Sequence, residues 1–317
     1  MSVKLDWLNP NGTRAKELRL YRSLNPITES NPGTLITTLA KDAITYTDVT
    51  APAQTTLNYQ LRYIANDNTE FPCDPQTYGH YPLGTGPGSQ TLLMGDWNRG
   101  YFGTVPVEEF YTADELRAAL GTNDISPAPT IVLTNALMPY WHKYAYKGKI
   151  LFIPPGDLFN NVTWAAIYNK GYMYGTDDTG PDLPHNGKVP INQRNYITKG
   201  TGKYLVRTIK SKNGPVDVYY PTSGADIIGG EWDDLITSLT SAVPYYTGNM
   251  AVGRFADYPT GSTEIVRRAT ITQNLQNQVS WFKRGQYTTT PDFEASQGAR
   301  SANCGWTPVL EYEYNGV

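Results

Sequence analysis

The chain of 317 residues holds two cysteines, Cys73 and Cys304, and three histidines, His80, His142 and His185. So few cysteines argue against a disulfide framework and against a cysteine metal site. The histidines are not paired at ligand spacing. Charged residues make up 17% of the chain and the formal net charge is -3, which leaves no electrostatic footprint for nucleic acid. No apolar run approaches a membrane span. The opening residues, MSVKLDWLNPNG, contain no apolar core of signal-peptide length. The expectation is a protein made in a cytoplasm and not inserted in a membrane.

Signatures of catalysis are missing too. There is no GxSxG nucleophile elbow. The segment GTGPGS at 84–89 lacks the lysine of a phosphate loop, and no buried strand leads into it. His142, between Trp141 and Lys143, reads as a strand residue at a surface. Glu231, Asp233 and Asp234 stand close together, but a helix start explains them without glycosidase chemistry. Asp177, Asp178 and Asp182 lie in TDDTGPD, whose oxygens suit Ca²⁺, although Asp, Thr, Gly and Pro form turns in their own right and the EF-hand spacing is absent. Whether those carboxylates bind Ca²⁺ stays open. The expectation is no enzyme, with no catalytic residue, no cofactor and no assigned metal.

Glycine (29), proline (23) and tyrosine (24) are plentiful, a mixture that favours many short strands and tight turns over long helices. Tyrosine also suits surfaces that become buried between subunits or against ligands. The organising stretch is 92–106, LLMGDWNRGYFGTVP, where Gly95, Gly100 and Gly103 are set among Trp97, Tyr101 and Phe102. Turn logic favours a hairpin at the floor of a new domain, with a ligand-binding loop as the alternative.

Ahead of it, residues 5–70 alternate with period 2 between turn signals: Leu18 and Leu20 on one face of a strand, Tyr59, Leu61 and Tyr63 on one face of another. Strands so spaced read as a β-sandwich. Residues 73–91, rich in Pro and Gly, read as an extended linker. Behind the organising stretch, Thr112 and Glu115 have capping-box spacing and Gly121 suits a helix C-terminus. Lys147-Gly148 marks a hairpin. Thr163-Trp164 begins a second helix, and Glu231 begins a third. Strands are expected at 203–210 paired with 217–220, at 262–268 and at 279–284. The closing segment 304–314 is expected to be a central strand near 94–102.

Trp7, LRLYRS at 18–23, ITYTDVT at 44–50 and LNYQLRYIAND at 57–67 resemble a fibronectin type III domain. The resemblance implies that Trp7 fills the core and that Tyr59 forms a tyrosine corner. GDWNRGYFG, WHKYAYKGKILFIP, GGEWDDLI, GRF and GWTPVLEYE resemble virion proteins of tailed bacteriophages, and the helix-plus-terminal-strand part resembles C-type-lectin-like domains. The fold expected is thus mainly β with short helices: a fibronectin type III-like sandwich over 1–72, the linker over 73–91, and a C-type-lectin-like α+β domain over 92–317.

The resemblance implies a structural component of a bacteriophage particle: a collar or whisker, tail fibre or decoration protein. It would assemble with other virion proteins and with copies of itself, acting in the virion after assembly in the bacterial host cytoplasm. The alternative is a receptor-binding, lectin-like adhesin for cell-surface glycan. Its candidate ligand residues are Tyr245, Tyr246, Asn249, Arg254, Tyr258, Trp281, Arg284 and Tyr287, groups that stack on and hydrogen-bond to sugars, and that serve a protein contact equally well.

Overall fold

The computed structural model describes residues 2–10, 14–125, 128–181, 189–210, 230–240, 269–277, 280–284, 292–293 and 304–314. Strand outweighs helix, 40% to 13%, so the mainly-β expectation holds. The chain forms two compact units. The first comprises Met1–Thr85 with the short returns Asp96–Asn98 and Ala145–Lys149. The second comprises Gly86–Gly95, Arg99–Tyr144 and Ile150–Val317.

The first unit carries β1 (Val3–Asp6), β2 (Glu17–Ser23), β3 (Thr34–Ala40), β4 (Thr45–Asp48), β5 (Thr55–Ile64), β6 (Glu70–Pro72) and β7 (Gln76–His80). Among the described residues β1 pairs with β4 alone, while the other sheet runs β3-β2-β5-β6. β7 pairs with Thr55–Tyr59 at one end of β5, and β6 pairs with Arg62–Ile64 at the other. Alternation explains the packing. Val3 and Leu5 of β1 meet Leu20, Leu57 and Tyr59 of the larger sheet in one core, with Trp7, Ile36, Tyr46, Leu61 and Tyr78 packed against it. Trp7 is half-buried at the margin of that core, and its Nε1 donates to the Ala43 carbonyl at 3.0 Å.

Within the stretch 73–91, Gln76–His80 form β7, and Tyr78 meets the Tyr59 ring edge-on at 5.7 Å. Pro and Gly density hid the alternation in Gln76–His80. Gly79 also has a packing role there, because a Cβ on it would lie 2.1 Å from the Trp97 ring. That ring stacks on Tyr81 at 5.2 Å.

The second unit opens on the hairpin of the organising stretch, β8 (Met94–Gly95) against β9 (Arg99–Pro106), with Met94 opposite Tyr101. Gly95 has φ +71°, and a Cβ there would lie 2.1 Å from the Arg99 carbonyl oxygen, so the turn requires glycine. Next come α1 (Ala113–Ala119), β10 (Thr130–Ile131), β11 (Tyr140–Tyr146), β12 (Lys149–Ile153), β13 (Phe159–Asn160) and α2 (Trp164–Tyr168). Then follow β14 (Tyr196–Lys199), β15 (Gly202–Thr208), a π-helical segment (Trp232–Thr240), β16 (Ala269–Asn277), β17 (Ser280–Arg284), β18 (Asp292–Phe293), β19 (Cys304–Trp306) and β20 (Pro308–Tyr314).

Local chemistry sets several boundaries. Thr112 and Glu115 form the full capping box on α1, and Gly121 follows it at φ +58°. Thr163 caps α2 by accepting from the Ala166 amide. Lys147 and Gly148 both have positive φ, +46° and +84°, as a type I′ turn between β11 and β12 demands.

One sheet runs β14-β15-β20-β12-β11-β9-β8, and a second runs β10-β13-β19-β16-β17-β18. The closing segment is central to both, since β19 lies between β13 and β16 and β20 lies between β15 and β12. Through β20 it shares a sheet with residues 94–102, though β12 and β11 intervene. β15 takes β14 and β20 as partners. The strands expected at 217–220 and 262–268 lie outside the described residues. Trp306, fully buried, stacks between Phe159 and Tyr172, with ring centroids 6.5 and 6.0 Å away.

Candidate functional site

The first unit holds an open groove. Trp7 donates its amide to the Ile44 carbonyl at 3.0 Å, which continues the ladder register of Leu5 opposite Tyr46 and Val3 opposite Asp48. Antiparallel bonds alternate along a strand, so the odd residues bond toward β4. The amides and carbonyls of Lys4 and Asp6 point the other way, where no described strand pairs with β1. Beside this edge lies a cavity of about 270 Å³. Leu20, Leu61, Tyr63 and Tyr78 supply apolar surface from the larger sheet, and Leu5, Trp7 and Leu8 close it from β1 and its extension. Asp6 and Asp74 are exposed members of the lining, and Cys73 contributes a free thiol. Burial, followed by the Asp74 charge, pushes that thiol above its ordinary value.

Behind the groove, bonded to its lining residue Tyr59, sits one buried carboxylate. Asp48 has no exposed surface. It accepts from the Tyr59 hydroxyl at 2.8 Å, from Arg22 Nη1 at 2.6 Å and from the Thr50 amide at 2.9 Å. Burial would raise its pKa, but the hydrogen bonds from Thr50, Tyr59 and Arg22 outweigh burial and hold it below the ordinary carboxylate range. Burial, reinforced by Asp48, raises Tyr59. The hydroxyl expected to form a tyrosine corner thus bonds to a side chain.

Buried charge in the second unit is consumed by architecture. Arg207 grips Glu231 through two bonds of 2.7 and 2.6 Å, and its Nε donates to Glu311 at 3.1 Å. All three side chains are under a tenth exposed. Burial opposes the guanidinium charge, yet the two carboxylates hold its pKa above the ordinary value. Of the acidic start of the third helix, Glu231 serves this grip and also accepts from the Lys210 amide at 3.1 Å, while Asp234 lies 3.5 Å from Arg99. Lys143 is buried as well, donating to the carbonyls of Pro87 and Ser89 at 2.8 and 2.7 Å, with its ammonium over the Phe102 ring. Burial pushes this amine down to about 7, against the pull of Glu109.

His142, expected at a surface, is fully buried. β11 is covered on both faces from Trp141 to Tyr146, so no exposed side alternates along it. Its Nδ1 lies 3.0 Å from the Tyr101 hydroxyl, and burial lowers its pKa to about 3.

Of the expected ligand residues, Tyr245, Tyr246, Asn249, Arg254, Tyr258 and Tyr287 lie outside the described residues. Trp281 and Arg284 fall on β17, opposite Leu275 and Thr270 of β16. In the acidic turn, Asp178 accepts from the Gly180 amide and the Thr176 hydroxyl at 2.8 and 2.6 Å, and Asp177 accepts from Asn192 and Arg194 at 3.0 and 3.3 Å. Asp182 lies outside the described residues. Sequence reasoning missed the groove, although the alternation along β5 carried a hint of it: Leu61 and Tyr63 share the face that lines it. Comparison with protein-family models, with curated proteins and with solved structures finds no match to this chain.

Proposed function

We propose that the protein is a non-catalytic structural component of a bacteriophage particle, built from a fibronectin type III-like unit and a C-type-lectin-like unit, and that it works by protein–protein assembly. The carrying observation is the use of buried charge in the second unit. Active sites arrange perturbed groups around an accessible cleft. Here Arg207, Glu231, Glu311 and Lys143 are spent on one another and on backbone carbonyls. Such networks position strands. The virion part of the reading rests on the sequence resemblance, and the content of tyrosine and low charge support surfaces that become buried.

The test is mass spectrometry of purified particles made from the genome that encodes the chain. The expected result is a fixed copy number matching a symmetric attachment site. Absence from intact particles contradicts the reading. Substituting Tyr245, Tyr246 and Trp281 with alanine separates the adhesin alternative: particles that incorporate the variant normally but no longer adsorb to cells point to receptor binding, whereas failed incorporation points to assembly.

A further inference from the structure

We propose that the free edge of β1 and the groove beside it dock an extended segment of a partner protein, a strand that alternates apolar with polar side chains and carries a lysine or arginine. The inference concerns the first unit alone and goes beyond a particle role.

Three observations specify the occupant. The first is the backbone. Lys4 and Asp6 direct their amides and carbonyls away from β4, and no described strand meets them. A row of alternating donors and acceptors at strand spacing is matched by another extended backbone. The second is coverage. Two strands, β1 and β4, face a sheet four positions wide, and the cavity lining includes residues of β1, β2, β5 and β7 but none of β3 or β4. The uncovered strip thus lies on the β1 side, where one added strand would lay alternate side chains on Leu61, Tyr63 and Tyr78. Leu8, 92% exposed, extends the apolar rim. The third is charge. Asp6 and Asp74 are exposed in the lining, and Trp7, Tyr63 and Tyr78 offer ring surface to the stem of a long basic side chain.

Edge strands are commonly blunted by charge, and the exposed Lys4–Asp6 pair at 3.1 Å serves that purpose on the outer face. Asp6 of that pair also lines the rim of the groove, where a guest's basic side chain meets it together with Asp74. The arrangement therefore discourages indiscriminate pairing while leaving a guest with the right alternation and charge a place to bind.

Cys73, in the lining, provides a built-in tether. The full chain with Cys304→Ser is equilibrated in a thiol–disulfide buffer with nine-residue peptides that each carry one cysteine. One peptide alternates valine and threonine around a central lysine, a second has glutamate in place of the lysine, and a third is the lysine peptide in scrambled order. Intact-mass spectrometry reads capture at Cys73. The expected result is about tenfold more capture of the alternating lysine peptide than of either control, with the charge preference reversed in the Asp6→Lys/Asp74→Lys variant. Hydrogen exchange on the wild-type chain with a cysteine-free form of the lysine peptide supplies the second readout, with slowed exchange expected at the Lys4 and Asp6 amides. Equal capture of ordered and scrambled peptides overturns the proposal, as does capture indifferent to charge. Capture that leaves both amides exchanging as in the free chain also overturns it, by assigning the cavity to a compact ligand.

Discussion

The two units treat buried charge in opposite ways. The first buries a single carboxylate, Asp48, and leaves a groove and a strand edge open among its described residues. The second draws Arg207, Glu231, Glu311 and Lys143 inside and bonds them there to one another or to backbone carbonyls. A buried ion network costs desolvation and contributes geometric specificity when every member is bonded. The second unit therefore behaves as a fixed scaffold, and the first as the unit with surface left to offer.

The sharpest way to break this contrast is to unbalance the scaffold. Arg207→Met leaves two carboxylates buried without their cation and should cost about 3–5 kcal/mol in denaturant unfolding. Replacing Glu231 and Glu311 together with Arg207 by apolar residues should restore much of that loss, because no uncompensated charge remains. A triple variant as unstable as Arg207→Met would show that the network does more than hold strands.

Acid separates the units next. His142 has a folded pKa of about 3, below the unfolded value of about 6.5. Between these values the unfolded chain binds more protons, so stability is present above pH ~6.5 and declines as pH falls, by about 1.4 kcal/mol per unit within the window. Asp48, also lowered when folded, keeps its contribution until pH falls below the unfolded carboxylate value of about 3.9. The second unit should thus weaken first on acidification, and His142→Gln should flatten its slope. Urea midpoints measured across pH 7 to 4 with a probe in each unit check both expectations.

These two groups also show what was legible beforehand. The capping box at Thr112, the type I′ turn at Lys147-Gly148 and the central closing strand were readable because each depends on a few neighbouring residues or on one clear alternation. The ion network was not, because Arg207 reaches partners 24 and 104 residues away. His142 was misplaced because β11 is buried on both faces, which erases the period-2 signal. β7 hid behind the prolines around it, and the groove emerges only when β1 is found with one neighbour.

Smaller effects sharpen the picture of the first unit. Trp7 sits at the groove margin with a hydrogen bond to Ala43, so Trp7→Ala should cost about 1–2 kcal/mol, less than the 3–5 kcal/mol of a fully buried tryptophan such as Trp306. Thermal unfolding of the two alanine variants compares them directly. The smallest effect belongs to Asp6→Lys/Asp74→Lys, expected to change stability by less than about 0.5 kcal/mol per site, since both residues are exposed.

The central claim is that the first unit is the docking surface and the second a scaffold whose buried ion pairs are spent on holding its own strands. Hydrogen exchange of the chain free in solution and inside intact particles tests it most directly. The account predicts that the Lys4 and Asp6 amides slow in the particle while the strands holding Arg207 and Glu311 exchange equally slowly in both states. Unchanged exchange at β1, with new protection confined to the second unit, would contradict it.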